Sequence, residues 1–430
     1  METITLLFGV FLVLIVLNVP IAFAMAASAA VVVIQAGLPD SVVMQRIIFG
    51  VDSFPLIAVP LFLLAGELMD LGGLSRQLVL FANTCLGHVR GGLAHVAIVS
   101  NMIMSGLSGA GTADAAATGG ILIPAMIKRG YSPAFSAAVI GAGAVLGPII
   151  PPSIAMVVYG ASANVSVGRL FVGGAVPGLI MAIYMICVSA LIAKRRDYPC
   201  EPKASCGQLT TSFRDAIWGL LAPVIIIGGI MGGIFTPTEA ASVAVAYSLF
   251  VGVFIYRVMK PSAFFPAVRR SFLLTAKIMF IIGAASSFSW LLARSNAPKL
   301  VSYGFMSLGG DPLAFLLLVN VMLLVLGCLM ETVAILLIVV PLLFPLSTQL
   351  GIDPVFFGVM MTLTLSIGLV TPPVGMVMFV VTGIAKARVQ DFTREVAPYL
   401  VAQLLSLVTI TMFPVLVTWL PDLVFGPGRK

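Results

Sequence analysis

The sequence predicts an all-α polytopic membrane protein with two inverted repeats, each containing about five crossings, a re-entrant helical hairpin and a broken helix. Its 430 residues are 60% hydrophobic and only 9% charged, which is too apolar for a soluble protein. Gly/Pro-rich breaks interrupt two apolar segments at 147–152 and 368–373. Proline removes a backbone donor that lipid cannot replace, so such breaks predict a site enclosed by protein or beside a wet cavity.

The two breaks belong to a longer internal repeat. Residues of the first half recur 221 positions later: Gly106 and Gly327, Pro124 and Pro345, Gly147 and Gly368, Pro151-Pro152 and Pro372-Pro373, and Pro177 and Pro398. We therefore expect a first repeat over 1–193, a cytoplasmic linker over 194–214 and a second repeat over 215–430. Interrupted segments at matching places in two halves are typical of a transporter's binding site.

The first repeat begins with a long apolar run that Asn18-Val19-Pro20 divides into two short spans. Because no basic region or cleavage site precedes this run, we expect it to be retained as a membrane span. The expected elements are spans over 4–17 and 21–35, an interfacial stretch over 39–52, a span over 54–69, an amphipathic surface segment over 73–87, the hairpin over 92–127, the broken helix over 133–160 and a span over 176–193.

The second repeat follows the same order. The expected elements are spans over 215–234 and 238–256, a basic interfacial arm over 262–270, a span over 272–292, the hairpin over 311–350, the broken helix over 356–385 and a last span over 396–419. Because re-entrant hairpins do not cross, each half crosses five times. An odd number of crossings makes the two halves inverted relative to each other.

The basic residues support this topology when the N-terminus lies outside. Six of the 23 Lys and Arg then fall outside, and the others fall on the cytoplasmic side, as positive loops do. The six are Arg46, Arg169, Arg294, Lys299, Arg429 and Lys430. An error of one crossing would spoil this asymmetry, so both termini are expected on the periplasmic side.

The hairpin tips and helix breaks are the predicted binding site for substrate and ion, because they leave backbone groups without helical partners. The predicted site residues are Ser105, Gly106, Ser108, Gly109, Thr112, Asp114, Gly147, Pro151, Pro152, Ser153, Gly327, Glu331, Thr332, Gly368, Thr371, Pro372 and Pro373. Many neutral oxygens suit Na⁺, for which we expect Ser105, Ser108, Gly327, Thr332 and Thr371 as ligands. The alternative is that the glycines only permit tight helix packing.

Two acidic residues lie at the tips, where a carboxylate is expensive and usually functional. Asp114 follows the first tip and Glu331 lies at the second. Each could balance the charge of a cation, or could cap the N-terminus of the returning helix. The residues alone leave both readings open.

No motif of an enzyme or an ATPase is present in the sequence. We therefore expect no cofactor other than the coupling ion and an ion gradient as the energy source. His88 and His95 are too scattered for a metal site or a proton relay.

Five stretches give the chain its resemblance to a known family. They are LAGELMDLGGLSRQLVLFANTCLGHVRGGLAHV (64–96), SGLSGAGTADAAATGGILIPAMIKRGYSPAFSAAV (105–139), GPIIPPSIAMVVYG (147–160), GGIFTPTEAASVAV (232–245) and GLVTPPVGMVMFVVTGIA (368–385). Together they resemble the large membrane subunit of the tripartite ATP-independent periplasmic (TRAP) transporters, within the wider ion-transporter superfamily. The resemblance covers nearly the whole chain.

The resemblance implies a mechanism and partners that the spacing does not. It implies an elevator, in which a transport domain slides against a scaffold in the bacterial inner membrane. It implies Na⁺ symport of a small organic acid, such as a C4-dicarboxylate or a sugar acid. The implied partners are a periplasmic solute-binding protein and a small four-helix membrane subunit, expected here as a separate chain. The alternatives are a stand-alone Na⁺/dicarboxylate symporter, an ion/H⁺ antiporter and, from another class, an integral membrane enzyme.

Overall fold

The computed structural model describes residues 2–307 and 309–427, and this part of the chain contains helices and no β-strand. Arg429 and Lys430, which we expect on the periplasmic side, lie outside the described residues. The first half contains α1 Glu2–Val16, α2 Ile21–Gln35, α3 Ser41–Val51, α4 Ala58–Leu71, α5 Leu74–Leu86, α6 Gly92–Ser108, α7 Gly111–Lys128, α8 Pro133–Ala144, α9 Ile154–Ala163 and α10 Val167–Arg196.

The second half begins after an extended linker that follows α10. It contains α11 Cys206–Met231, α12 Pro237–Phe250, α13 Pro261–Arg294, α14 Ala297–Met306, α15 Pro312–Gly327, α16 Thr332–Gln349, α17 Pro354–Gly368, α18 Met376–Ala385, α19 Val389–Met412 and α20 Val415–Phe425. A 3₁₀ turn leads into α4, and a π-helical turn extends α12.

Seven helical segments of the described chain are long and apolar enough to cross a membrane. They are Phe54–Leu71, Val167–Arg196, Cys206–Met231, Pro237–Ile255, Pro261–Arg294, Thr332–Gln349 and Val389–Met412. One of them, Thr332–Gln349, is a helix that the sequence places in a hairpin, so length and composition do not by themselves separate hairpin arms from spans.

Several predicted boundaries are wrong, each for a local reason. The arm over 262–270 and the span over 272–292 form one helix, α13, because no Gly or Pro interrupts residues 267–282. The last span does not reach residue 419. Helix α19 ends at Met412, because Pro414 has no amide and restricts the residue before it. The span over 176–193 is the middle of a longer helix, α10, and α14 is a helix that the sequence analysis did not predict.

The packing connects the two halves of the chain. Helix α18, which follows the second break, packs on α7 and α8 of the first half. Helix α9, which follows the first break, packs on α16 of the second half. Another group forms around α13, which contacts α2, α3, α4 and α16. Helices that adjoin each break are therefore held by helices of the opposite half.

The linker between α10 and α11 contacts α5 and the residues that follow α7. Glu201 forms an ion pair with Arg129, after α7, and accepts a hydrogen bond from Asn83 Nδ2 at 3.2 Å. The ring of Tyr198 stacks on Tyr131 with centroids 4.3 Å apart. The linker is thus ordered by contacts to α5 and to the end of α7.

A close contact between the halves rests on a glycine. The Tyr159 hydroxyl of α9 donates to the Pro354 carbonyl at 2.8 Å, and its ring lies against Gly358 of α17. A Cβ at Gly358 would lie 2.2 Å from the ring, a distance that no packed pair tolerates. Only glycine lets α9 and α17 approach this closely.

We expect Gly358→Ala to destabilise the folded protein by about 1–3 kcal/mol, the usual cost of overpacking a core. Gly383→Ala is the matched control, because nothing lies within 4 Å of a Cβ there. Thermal unfolding of the two variants in one detergent measures the difference. Equal unfolding temperatures for both variants and the parent would contradict the contact.

Candidate functional site

The first hairpin turns at Gly109, between α6 and α7. Gly109 has φ +64°, in the left-handed region, and ends α6 with a hydrogen bond to the Ser105 carbonyl. A Cβ on Gly109 would lie 2.3 Å from the Pro152 carbonyl oxygen. Glycine therefore serves twice here: it allows the turn, and it lets the tip lie directly on the first helix break.

Asp114 is the charged group at this tip, and its side chain is fully buried. Its Oδ1 accepts from the Ser108 hydroxyl at 2.5 Å, and its Oδ2 lies 3.2 Å from the Ser105 hydroxyl. Ser105 Oγ is also 2.7 Å from the Asn101 carbonyl, so its single proton can satisfy only one of these acceptors. Within residues 2–307 and 309–427, no Lys, Arg or His forms an ion pair with Asp114.

The first break runs between α8 and α9 and is almost completely buried. Gly147 lies against the tip: a Cβ there would be 2.7 Å from both Asp114 Oδ2 and the Gly111 amide nitrogen. The Ser153 hydroxyl donates to the Pro148 carbonyl at 2.5 Å and accepts from the Met156 amide at 3.2 Å. Ser153 therefore caps α9 and fixes the loop, and its hydroxyl is already engaged.

The second hairpin and the second break meet through their backbones. Gly327, at the end of α15, lies on Gly368, where a Cβ would be 2.4 Å from the Gly327 carbonyl carbon. The Cys328 carbonyl accepts from the Val374 amide at 3.1 Å. Gly327 and Gly368, which correspond to Gly106 and Gly147 of the first half, thus allow the second tip to contact the second break. The atoms in contact differ from those at the first site.

Glu331 has a role that differs from that of Asp114. Its Oε2 accepts from the Val333 amide at 3.0 Å and from the Ala334 amide at 3.2 Å, which makes it the N-cap of α16. Asp114 caps nothing: the N-cap position of α7 is Ala110, and α7 has no side-chain cap. Of the two readings that the sequence leaves open, the capping geometry is present at Glu331 and not at Asp114.

Backbone pairing in the second break is more complete than the sequence suggests. The Leu369 carbonyl accepts from the Val377 amide at 3.0 Å, across the break, and the Thr371 hydroxyl donates to the Ile367 carbonyl at 2.8 Å. Pro373 and Val374 are exposed, whereas Pro151 and Pro152 are buried. The first site is closed and the second is open at the surface. Both breaks contain a cis peptide bond, at Pro151-Pro152 and at Pro372-Pro373.

The two sites also touch each other. A Cβ on Gly111, at the start of α7, would lie 3.3 Å from Leu369 Cδ1 in the second break. Beside the first tip is a cavity of about 240 Å³ that reaches Ser108 and Asp114 and is bordered by Glu67 and Asp70 of α4. The first tip therefore lies against the second break, with an acidic cavity beside the first tip.

Three predicted residues have other surroundings. Gly106 faces α11, where a Cβ would be 3.1 Å from Pro223 Cβ and 3.7 Å from the Pro151 carbonyl. Thr112 is half-buried at the start of α7, and Thr332 is buried in the first turn of α16. Within the described residues, the side chains that hydrogen-bond to the Asp114 carboxylate are Ser105 and Ser108, so the structure does not gather these three residues into that cluster.

Two buried asparagines are polar residues that the sequence analysis missed. Asn101 Oδ1 accepts from the Thr118 hydroxyl at 2.9 Å and joins α6 to α7. Asn320 Oδ1 accepts from Thr364 at 2.8 Å, and its Nδ2 donates to Thr411 at 3.1 Å. The available signal was an asparagine in an apolar hairpin arm, because such a residue needs a partner in lipid.

Comparisons with known proteins identify the family of this chain. The family model described as "Tripartite ATP-independent periplasmic transporter, DctM component" matches residues 8–416. The sialic acid TRAP transporter large permease protein of Vibrio cholerae is 39% identical over 90% of this chain and 90% of its own length. The C4-dicarboxylate TRAP transporter large permease protein of Pseudomonas aeruginosa is 42% identical over 86% of this chain and 87% of its own.

One further relative is longer than this chain, and one solved structure has a similar fold at low sequence identity. The chain spans 62% of the sialic acid TRAP transporter permease protein of Haemophilus influenzae, with 38% identity over 88% of this chain. The solved YdaH transporter of Alcanivorax borkumensis has the same fold, with TM-score 0.67 and 14% identity over 89% of this chain and 88% of its own. The chain therefore belongs to the family of the DctM component, the large permease protein, of tripartite ATP-independent periplasmic transporters.

Proposed function

We propose that this permease carries a small organic acid together with Na⁺ across the bacterial inner membrane. Relatives are named for sialic acid, C4-dicarboxylates and 2,3-diketo-L-gulonate, which all carry a carboxylate. A periplasmic solute-binding protein delivers the acid, and a small four-helix membrane subunit supports the chain. The family and the chemistry of these named solutes support this proposal.

The burial of Asp114 is the main reason for proposing that the site binds a cation. A fully buried carboxyl group must either bind a proton or have its charge balanced by a cation, and the described residues supply no basic side chain that forms an ion pair with it. We propose Na⁺ as that cation, because it is hard and takes oxygen ligands. The Ser105 and Ser108 hydroxyl oxygens beside the carboxylate support this proposal, in which tip carbonyls supply the remaining ligands. The hydroxyl and carbonyl of Thr332 and Thr371, with the Gly327 carbonyl, form the second part of the proposed ion site.

The mechanism that we propose is an elevator built from two inverted repeats, 1–193 and 215–430. The hairpins and broken helices form the moving domain, and the remaining helices form the scaffold. Two packing features support this division: α18 and α9 each lie on the opposite hairpin, and α13 gathers α2, α3 and α4. Both termini lie on the periplasmic side in this proposal, in keeping with the distribution of Lys and Arg.

Uptake into proteoliposomes tests this function. With the chain, its small subunit and a cognate binding protein loaded with acid, we expect uptake to follow an imposed Na⁺ gradient. A pH gradient without Na⁺ should drive none. High-affinity uptake without the binding protein would instead indicate a stand-alone symporter, and uptake driven equally by the pH gradient would indicate an H⁺-coupled carrier.

The proline break gives a second test. Replacing Pro372 and Pro373 by Ala favours helix extension from α17, because Ala is better than Pro by about 3 kcal/mol per helix position. The Leu369 carbonyl should then leave its present partner, the Val377 amide. We expect normal insertion and loss of Na⁺-dependent uptake per folded molecule, and the same for Ala at Pro151 and Pro152. Pro414→Ala, between α19 and α20, is the control. Wild-type uptake in both double variants would show that the breaks are only structural.

Variants of Glu331 and Asp114 distinguish the role of a helix cap from that of an ion ligand. Glu331→Ala should lower stability by about 1 kcal/mol, the typical cost of a lost N-cap, whereas Glu331→Gln keeps an acceptor oxygen and should preserve Na⁺-dependent uptake. Asp114→Asn keeps the shape of the side chain but removes its charge, so the Na⁺ dependence of uptake should be lost. The measurements are thermal unfolding and the Na⁺ concentration for half-maximal uptake. An unchanged Na⁺ dependence in Asp114→Asn contradicts the assignment.

A further inference from the structure

A second cavity, of about 400 Å³, lies between α3 and α13 on one side and α9 and α16 on the other. Its volume suits a drug-sized or smaller ligand. Its α13 wall is one helical face, since Ile282, Ala285, Ser286 and Ser289 recur at spacings of three, one and three residues. The cavity therefore lies where α3 and α13 face α9, which adjoins the first break, and α16, which begins at the second hairpin tip and also packs on α13.

One side of this cavity contains a hydrogen bond that a proline makes available. Pro341 in α16 has no amide, so the Leu337 carbonyl one turn earlier loses its helical partner. The Ser289 hydroxyl of α13 donates to that carbonyl at 3.0 Å. This bond joins α13 to the second hairpin through two residues that line the cavity.

Two arginines lie at the ring of Trp290, which lines the cavity, although neither arginine is among the described lining residues. The Arg46 guanidinium is 4.8 Å from the ring centroid, and that of Arg294 is 5.7 Å away. A guanidinium on an aromatic ring keeps its in-plane N–H donors free for a carboxylate. Neither arginine forms an ion pair in the part of the chain that the structure describes. Both arginines are exposed, so their charges are available to an anion.

The wall of this cavity has no charged side chain. No Asp, Glu, Lys or Arg is among the described residues that line it, and Ser53, Ser162 and Ser286 add hydroxyl groups. The cavity beside Asp114 differs, because Glu67 and Asp70 border it. Of the two cavities, the one at Trp290 therefore has no acidic residue in its wall to repel a carboxylate, and its positive charges are the arginines beside Trp290.

We propose that the cavity at Arg46, Trp290 and Arg294 is the first binding station for the carboxylate of the transported acid on its entry side. The two guanidinium groups bind the carboxylate, and the serine hydroxyls bind the polar part of the acid. This proposal rests on the proposed function for the identity of the acid. The basic residues that the topology leaves outside include both arginines, which places the station on the periplasmic side.

The competing reading is that Trp290 and the arginines only anchor the protein in the membrane interface, where such residues are common. The arginine heads would then point to lipid headgroups and away from the cavity. The two readings differ in the electrostatic potential inside the cavity, and a charged reagent can measure that potential directly.

The test uses a cysteine at Ser162, a cavity residue that is exposed on α9, in a background without the five native cysteines. The rate of labelling is measured with an anionic and with a cationic methanethiosulfonate. We expect the anionic reagent to be favoured, and the Arg46→Gln/Arg294→Gln variant to lower the ratio of the two rates about tenfold at low salt. The Lys variant at both positions keeps the charge and should keep the ratio.

Lys299→Gln is the matched control, because it removes an exposed cation of α14 that, among the described cation–ring contacts, does not lie at the Trp290 ring. If the double Gln variant fails to fold, Arg294→Gln alone is used, since Arg294 is farther from the ring. A ratio that is the same in the parent, the Gln variant and the Lys299 variant overturns the proposal in favour of membrane anchoring.

Protection from labelling tests occupancy by a carboxylate. Succinate, gluconate and N-acetylneuraminate are the probes, and neutral xylitol is the control. We expect at least one acid to slow labelling in the parent and not in the Gln variant, and failure of all three overturns the proposal. If an acid protects while no Na⁺-driven uptake is found, the station stands and the proposed transport function falls.

Discussion

The structure depends on one constraint: at membrane depth, every backbone polar group needs a partner within the protein. The two helix breaks and the two hairpin tips leave backbone groups without partners in their own helices. The fold answers by placing each tip on the break of its own half, through Gly109 on Pro152 and Gly327 on Gly368. Further partners come from within the loops, such as Ser153 for the Pro148 carbonyl.

Glycine is what makes these contacts possible. At Gly147 and Gly368 an added Cβ would lie less than 3 Å from backbone or carboxylate atoms, so a residue with a side chain does not fit at either position. Dense packing of this kind transmits small shifts of one element to the next. A tip and its break are therefore a unit, and a movement of one requires a movement of the other.

Each half of the chain has a hairpin tip that lies on a helix break, and the side chains at the two sites differ. The first site encloses a carboxylate held by two serines, whereas the second uses its carboxylate to cap a helix and stays open at Pro373 and Val374. The charge distribution is also unequal, with arginines at the Trp290 cavity and acidic residues at the cavity of Asp114. In the functions that we propose, this inequality favours a cation at the cavity of Asp114 and an anion at the cavity of Trp290.

The sequence by itself determined the class, the family and the position of both breaks, because these follow from hydropathy, from proline and glycine, and from motifs that are local in the chain. It also predicted that α6 and α7, and α15 and α16, turn near Gly109 and residues 327–332. It predicted two helix boundaries wrongly. It divided α13, although no Gly or Pro interrupts the middle of that helix, and it continued α19 past Pro414, which lies in an otherwise apolar run.

Only the tertiary structure decided what the charged and polar groups contact. Asp114 and Glu331 occupy similar places in the sequence, yet one meets two serine hydroxyls and the other meets two amides of its own helix. The pairing of Asn320 with Thr364 and Thr411, and of Arg46 with Trp290, joins residues far apart in the chain. Local pattern contains no information on such contacts, because they arise from how separate helices pack against one another.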